Sequence, residues 1–281
     1  MRKAYSIGLY EKAMPKSLTW KEKLNVAKEL GYDFIEISID ETDEKLSRLD
    51  MEKEEKDNLV KLMQESGIEI RTMCLSGHRK YPLGSNDSET VKRSLEIMEK
   101  AIDLADYLGI RIIQLAGYDV YYEDSNDDTK IRFEKNLKKA VEMASKKGVI
   151  MGFETMETEF MNTVEKAMIY VNKIDSQYLG VYPDLGNITN AAVLYGNNVC
   201  DDIETGRGHL IAMHLKETVP GKFREIPFGT GHVNFERGIS KAWDLGVRKF
   251  VTEMWYVEND DWKECIKDAI ERMKKILDKQ N

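Results

Sequence analysis

Short apolar runs alternate with longer amphipathic stretches along the chain, and the alternation has a fixed order. Five runs follow a glycine that closes an amphipathic stretch: Leu30-Gly31 before FIEIS, Ser66-Gly67 before IEIRTMCL, Leu108-Gly109 before IRIIQLAG, Lys147-Gly148 before VIMGFE, and Leu245-Gly246 before VRKFVTE. Glycine takes the left-handed conformation that ends a helix, so an αβ turn places it there. The runs are rich in Ile and Val and apolar on successive residues, as expected of parallel strands covered on both faces. YSIGLY (5–10), YLGVYPD (178–184) and HLIAMHL (209–215) bring the strand count to eight. Strand starts fall about 30 to 40 residues apart, a βα-unit spacing.

The stretches between read as helices. Thr19-Trp20-Lys21-Glu22 is a capping-box pattern ahead of LNVAKEL. Residues 51–66 follow Asp50 as an N-cap, and 88–108 carry Leu95, Met98, Ile102 and Ala105 at helical spacing. Similar patterns cover 130–147, 163–174, 235–245 and 261–279, whereas 190–208 fits either a short helix or loop. Pro and Gly are nowhere concentrated enough to mark a linker, so residues 1–281 are expected to form one domain. Eight βα units in one domain predict a (β/α)8 TIM barrel. A doubly wound sheet is the alternative, but its GxGxxG fingerprint is missing from the first βα turn.

Composition narrows the partners. With 42 basic and 50 acidic residues the formal net charge is −8, which disfavours a nucleic-acid backbone as partner but leaves room for a small anion held by a local cluster. Cys74, Cys200 and Cys265 are odd in number and widely spaced, as reduced thiols of a cytoplasmic protein would be. The opening MRKAYSIGLYEKAMP is cut by Glu11 and Lys12 and reads as no signal peptide. No run approaches the roughly 20 apolar residues that a membrane-spanning helix needs.

The active site of such a barrel lies at the carboxyl ends of its strands. Those ends carry Tyr10 and Glu11, Ser38 and Asp40, Ser76 and His78, and Gln114 and Tyr118 in the first half, then Glu154, Asp184, His214 and Glu253 in the second. Singly, a strand-end carboxylate is more often a helix cap than a ligand. Here four metal-type ligands fall on consecutive strands five to eight. One nitrogen and three carboxylates suit a divalent cation such as Mn2+, Zn2+, Co2+ or Mg2+.

These four residues in this setting resemble the xylose-isomerase-like barrel superfamily of metal-dependent sugar epimerases and isomerases. GLYEKAMP, IEISIDETDEKLSRLD, MCLSGHRKYPLGS, IQLAGYDVYY, YPDLGN, HLKET, PFGTGHVNFERG and EMW are similar to the L-ribulose-5-phosphate (L-xylulose-5-phosphate) 3-epimerases of L-ascorbate and related pentose catabolism. The likeness runs from about residue 5 to 256. It implies a (β/α)8 fold, a divalent metal on Glu154, Asp184, His214 and Glu253, and epimerisation at C3 of a 5-phosphorylated ketopentose. Relatives in the superfamily are often dimers or tetramers.

Inverting C3 beside a C2 ketone requires proton transfer on both faces of an enediolate, and Glu154 and Glu253 are the natural pair of bases. The phosphate needs donors, and Arg79 comes first for its bidentate fork, with His78, Lys80, Lys216, Lys222, Arg224 and the backbone of Phe228-Gly229-Thr230-Gly231 as further candidates. Asn187 is placed to contact a sugar hydroxyl; Tyr10, Tyr118 and Trp255 could wall the pocket. Asp40, Glu41 and Asp43 read as helix caps, and His232 as structural.

An aldose–ketose isomerase, or an epimerase of free ketoses, would share this metal site, since each passes through an enediolate. A barrel-type repair endonuclease needs more ligands than four histidines supply and a basic face. A non-catalytic sugar-binding protein would leave the paired carboxylates without a purpose.

Overall fold

The computed structural model describes residues 4–258 and 261–280. The basic opening residues 1–3 lie outside them. Eight parallel strands form one sheet: β1 (Ser6–Tyr10), β2 (Phe34–Ile39), β3 (Glu69–Leu75), β4 (Ile112–Ala116), β5 (Ile150–Glu154), β6 (Leu179–Val181), β7 (Met213–Leu215) and β8 (Lys249–Thr252). Hydrogen-bonded order runs β6-β5-β4-β3-β2-β1-β8-β7. Parallel bridges Val181↔Leu210 and Asp184↔His214 join the two ends, so the sheet closes as a (β/α)8 barrel. The helices are α1 (Trp20–Glu29), α2 (Asp43–Leu46), α3 (Lys53–Ser66), α4 (Ser88–Leu108), α5 (Asp127–Lys146), α6 (Val164–Ile174), α7 (Leu185–Tyr195), α8 (Val199–Thr205), α9 (Phe235–Asp244) and α10 (Trp262–Leu277).

The five punctuating glycines all have φ between 65° and 93°, the backbone their turns require. Thr19 forms the expected capping box with Glu22. Two boundaries differ from expectation. Glu52, not Asp50, caps α3, because residues 47–50 form a 3₁₀ turn. The ambiguous 190–208 stretch holds the end of α7 and all of α8, separated by Gly196 at φ 68°.

Side chains alternate along each strand between two cores. Ile35, Ile37 and Ile39 of β2 face the helices and join the large outer core, whereas Phe34 packs inside the barrel with Tyr10, Cys74, Ile112, Tyr182, Ala212 and Val251. Gly8 makes room for that inner layer: a Cβ there would lie 2.3 Å from the Phe34 ring. Since parity is two, Glu36 and Ser38 share the inward side with Phe34. The same count puts Glu154 inward on β5 beside Gly152, and Glu253 inward beyond Val251.

At the end of β1, Glu11 is buried among three cations. Lys45 Nζ lies 2.7 Å and Lys23 Nζ 3.5 Å from Oε1, while Arg48 Nη1 lies 2.5 Å from Oε2. The Ser38 backbone N–H also donates to Oε2 at 3.0 Å. Burial alone would raise its pKa, but Arg48, Lys23 and Lys45 outweigh that and hold it at about 2. This knot ties β1 to α1 and to the turn after β2. A folded-state pKa below the unfolded value stabilises above that value and ceases to do so as pH falls. Conformational stability is therefore expected to drop as pH falls from about 4.5 to about 2. Glu11→Gln should cost about 3 kcal/mol at neutral pH in denaturant melts, by leaving buried cations uncompensated, and should flatten that acid drop.

Candidate metal centre

The closure seam between β6 and β7 is where the site forms. Pro183 has no N–H to donate, and His214 N–H donates to its carbonyl oxygen at 2.9 Å, which sets Asp184 beside His214. Glu154 ends β5, Asp184 caps α7, His214 sits within β7, and Glu253 follows β8 with its N–H on the Leu215 carbonyl oxygen at 2.8 Å. One ligand-type atom from each of these four buried residues lies within 4.8 Å of the others. Asp184 serves both roles that sequence allowed: Oδ1 accepts the Asn187 N–H at 2.6 Å as a helix cap, while Oδ2 turns inward.

The donor set fits a cation. Asp184 Oδ2, His214 Nδ1 and Glu253 Oε2 are buried and make no hydrogen bond, a costly arrangement unless something positive binds them. Lys216 Nζ, 3.3 Å from Asp184 Oδ1 and 3.2 Å from Glu253 Oε2, offsets part of the charge. Burial pushes Asp184 up to about 8 despite Lys216. Burial and the neighbouring Glu253 charge raise Glu154. Glu253 moves the other way, since Lys216 and His214 outweigh its burial and keep it ionised. Oxygen and imidazole ligands, without thiolate, match a hard or borderline divalent ion.

A cavity of about 130 Å³ reaches the cluster at Glu154 and Glu253, and Tyr10, Arg79, Asn187, Lys216 and Trp255 all line it. Asn187 Nδ2 is spent on the Thr155 carbonyl oxygen at 2.7 Å, leaving Oδ1 unpartnered. Arg79 stacks 4.8 Å over the Tyr121 ring and 5.6 Å over Tyr118, and pairs with Glu157 at 3.9 Å. The expectation for His78 is corrected. It is buried off the cavity with Nε2 donating to the Ser94 carbonyl oxygen at 3.1 Å, and burial lowers its pKa to about 4. Two of the Phe228–Gly231 amides are likewise engaged: Thr230 N–H donates to the Pro227 carbonyl oxygen, and Gly229 N–H to the buried Glu217 carboxylate at 3.0 Å. His232 holds Thr218, as a structural residue would.

A second cavity of about 600 Å³ adjoins the first and shares Lys12, Arg224 and Trp255 with it. Lys12, Lys16, Lys23, Lys45 and Arg224 line it, against Glu11, Asp40, Glu44 and Glu258. Sequence reading had placed no phosphate donor near β1. It also passed over Glu36, whose only signal is an acid inside the apolar run FIEISI.

A sequence model of the family described as xylose isomerase-like TIM barrel matches residues 24–276. A protein of Salmonella heidelberg (strain SL476) named L-ribulose-5-phosphate 3-epimerase UlaE is 44% identical over 256 residues, 91% of this chain and 89% of the relative. The protein of the same name in Escherichia coli O157:H7 is 44% identical over 262 residues, 93% of this chain and 91% of its own. Among solved structures, an L-ribulose 3-epimerase superposes with a TM-score of 0.79 at 18% identity, covering 98% of this chain and 95% of that one. The D-allulose 3-epimerase from Methylomonas sp. in complex with D-allulose gives 0.80 at 18%, covering 97% of each. At those identities the structures speak for the fold. Among the described residues no helix is long and apolar enough to cross a membrane.

Adding Mn2+, Co2+ or Zn2+ to chelator-stripped protein should raise its melting temperature, equivalent to about 2.7 kcal/mol at a hundredfold excess over Kd. Asp184→Asn should lose most of that increment in the same thermal-shift series.

Proposed function

Because the chain belongs to the xylose isomerase-like TIM barrel family and matches sugar-phosphate epimerases over nine-tenths of its length, we propose that it interconverts L-ribulose 5-phosphate and L-xylulose 5-phosphate. It is an isomerase-class enzyme, an epimerase acting on a carbohydrate. The observation that carries the mechanism is the convergence of Glu154 and Glu253, from strands three apart in the barrel, on one buried point with Asp184 and His214. A place in pentose and L-ascorbate catabolism accompanies this reading.

Inversion at C3 breaks the C3–H bond on one face and re-forms it on the other. Glu253, kept ionised beside Lys216, accepts the proton. The bonding pair enters the C2–C3 bond as the carbonyl π pair moves onto O2, leaving a planar enediolate. Glu154, entering the cycle protonated, returns its proton to the opposite face. The reverse reaction exchanges the two roles. A divalent ion held by Glu154, Asp184, His214 and Glu253 supplies Lewis-acid stabilisation of the developing oxyanion when bound. Asn187 Oδ1 and Lys216 meet the sugar hydroxyls, while Tyr10 and Trp255 exclude water from its apolar side.

The phosphate is assigned to the second cavity, where Lys16 and Arg224 have no carboxylate partner among the described residues, whereas Arg79 pairs with Glu157, Lys12 with Asp40 and Lys45 with Glu11. Arg79 then serves the other end of the sugar.

Glu154→Gln and Glu253→Gln should each lower turnover by at least about a hundredfold while substrate still binds calorimetrically. Wild-type-like turnover in either variant would sink the two-base assignment. Lys12→Met and Lys16→Met should raise KM about tenfold for L-ribulose 5-phosphate and leave free L-ribulose unaffected. Equal wild-type kcat/KM for the free and phosphorylated sugars would overturn the phosphate assignment.

A further inference from the structure

Glu36 sits in the middle of β2, fully buried inside the barrel. A carboxylate buried there needs hydrogen-bond partners. Three are present. His214 Nε2 lies 2.5 Å from Oε1, while Oε2 accepts the Thr72 hydroxyl at 2.7 Å and the Tyr182 hydroxyl at 3.0 Å. Thr72 lies on β3, His214 on β7, and Tyr182 directly follows β6, so the network crosses the barrel.

The backbone is shaped for it. Pairing of β2 with β3 is regular at Ile35↔Ile70, then slips by one residue so that Glu36 faces Thr72. Without that bulge at Arg71, Glu36 would sit opposite a residue of the other parity, and the Thr72 hydroxyl would be one position out of register. The Tyr182 ring also meets the His214 ring edge-on at 5.0 Å, which limits its rotation.

The far side of the imidazole is the consequence. With Nε2 held against Glu36, Nδ1 is the ring atom that faces the cluster, and it lies 3.7 Å from Glu154 Oε1 and 3.3 Å from Glu253 Oε2 with no hydrogen bond of its own. We infer that Glu36 is a positioning residue that fixes the tautomer and orientation of His214 so that Nδ1 faces a bound divalent ion. This rests on the metal-centre reading of the site. Neutralising one partner of a buried pair lowers stability whatever its purpose, so metal affinity is the discriminating property: a carboxylate kept only for packing would leave it unchanged, and a ligand-orienting one would not.

The test is Glu36→Gln in the full chain, with Co2+ affinity read by chelator competition, the visible Co2+ absorption spectrum, and the melting temperature of metal-free protein. The expected result is a 10–100-fold loss of Co2+ affinity and an altered spectrum in a variant whose metal-free form still melts cooperatively. A folded E36Q that binds Co2+ within about twofold of wild type, with the same spectrum, overturns the inference. Should E36Q not fold, Thr72→Val and Tyr182→Phe, each deleting one hydroxyl that anchors Glu36, are expected to weaken Co2+ binding severalfold; unchanged affinity in both overturns it equally. If wild type itself binds no divalent ion, the metal centre fails and the inference falls with it.

Discussion

Carboxylates crowded together away from water repel each other, and that repulsion governs this molecule's interior. Glu154, Asp184 and Glu253 meet within 4.8 Å in a buried mouth. Nothing in the apolar layers below, Phe34, Ile112 and Val251, can screen them. The surroundings respond with Lys216 wedged between two of the acids and with an imidazole among all three. Three ligand atoms still lack a hydrogen bond. Such a cluster could hold a cation, and the (β/α)8 frame keeps the acids from drifting apart.

Compensation extends outward in layers. Glu36 anchors the imidazole from beneath with help from Thr72 and Tyr182. Glu217 ties down the segment after β7 by accepting the N–H groups of Thr218, Gly229 and Val233, and that segment carries Arg224 to the cavity rim. On the β1 side, Glu11 holds Lys23, Lys45 and Arg48 in a cluster whose positive charge exceeds its own. One end of the mouth is therefore acidic, while the other gathers Lys12, Lys16, Lys23, Lys45 and Arg224 among four carboxylates. That polarity suits a substrate with an enolisable ketone at one end and a phosphate at the other.

Strands, helices and the four residues that cluster at the barrel mouth were legible along the chain because each rests on local physics. Glycine before an apolar run marks a turn whatever surrounds it, and a carboxylate at a strand's carboxyl end stays there in any closed barrel. Asp50 was misjudged as a cap because a 3₁₀ turn competes with the helix start, and local pattern does not separate the two. His78 looked like a substrate ligand only because it follows a strand; its ring direction depends on α4, whose Ser94 carbonyl captures it.

Sequence by itself determined the barrel, its eight-fold βα order and the ligand types gathered at its second half. These follow from periodicity and strand-end position, which are properties of neighbours in the chain. The tertiary structure alone decided what depends on residues far apart in sequence. Glu36 meets His214 across 178 positions. Lys12 and Arg224 come to share one cavity wall. Asp184 divides its two oxygens between a helix cap and the site. Such contacts are set by barrel closure and strand register, and a bulge of one residue beside Glu36 is enough to change them.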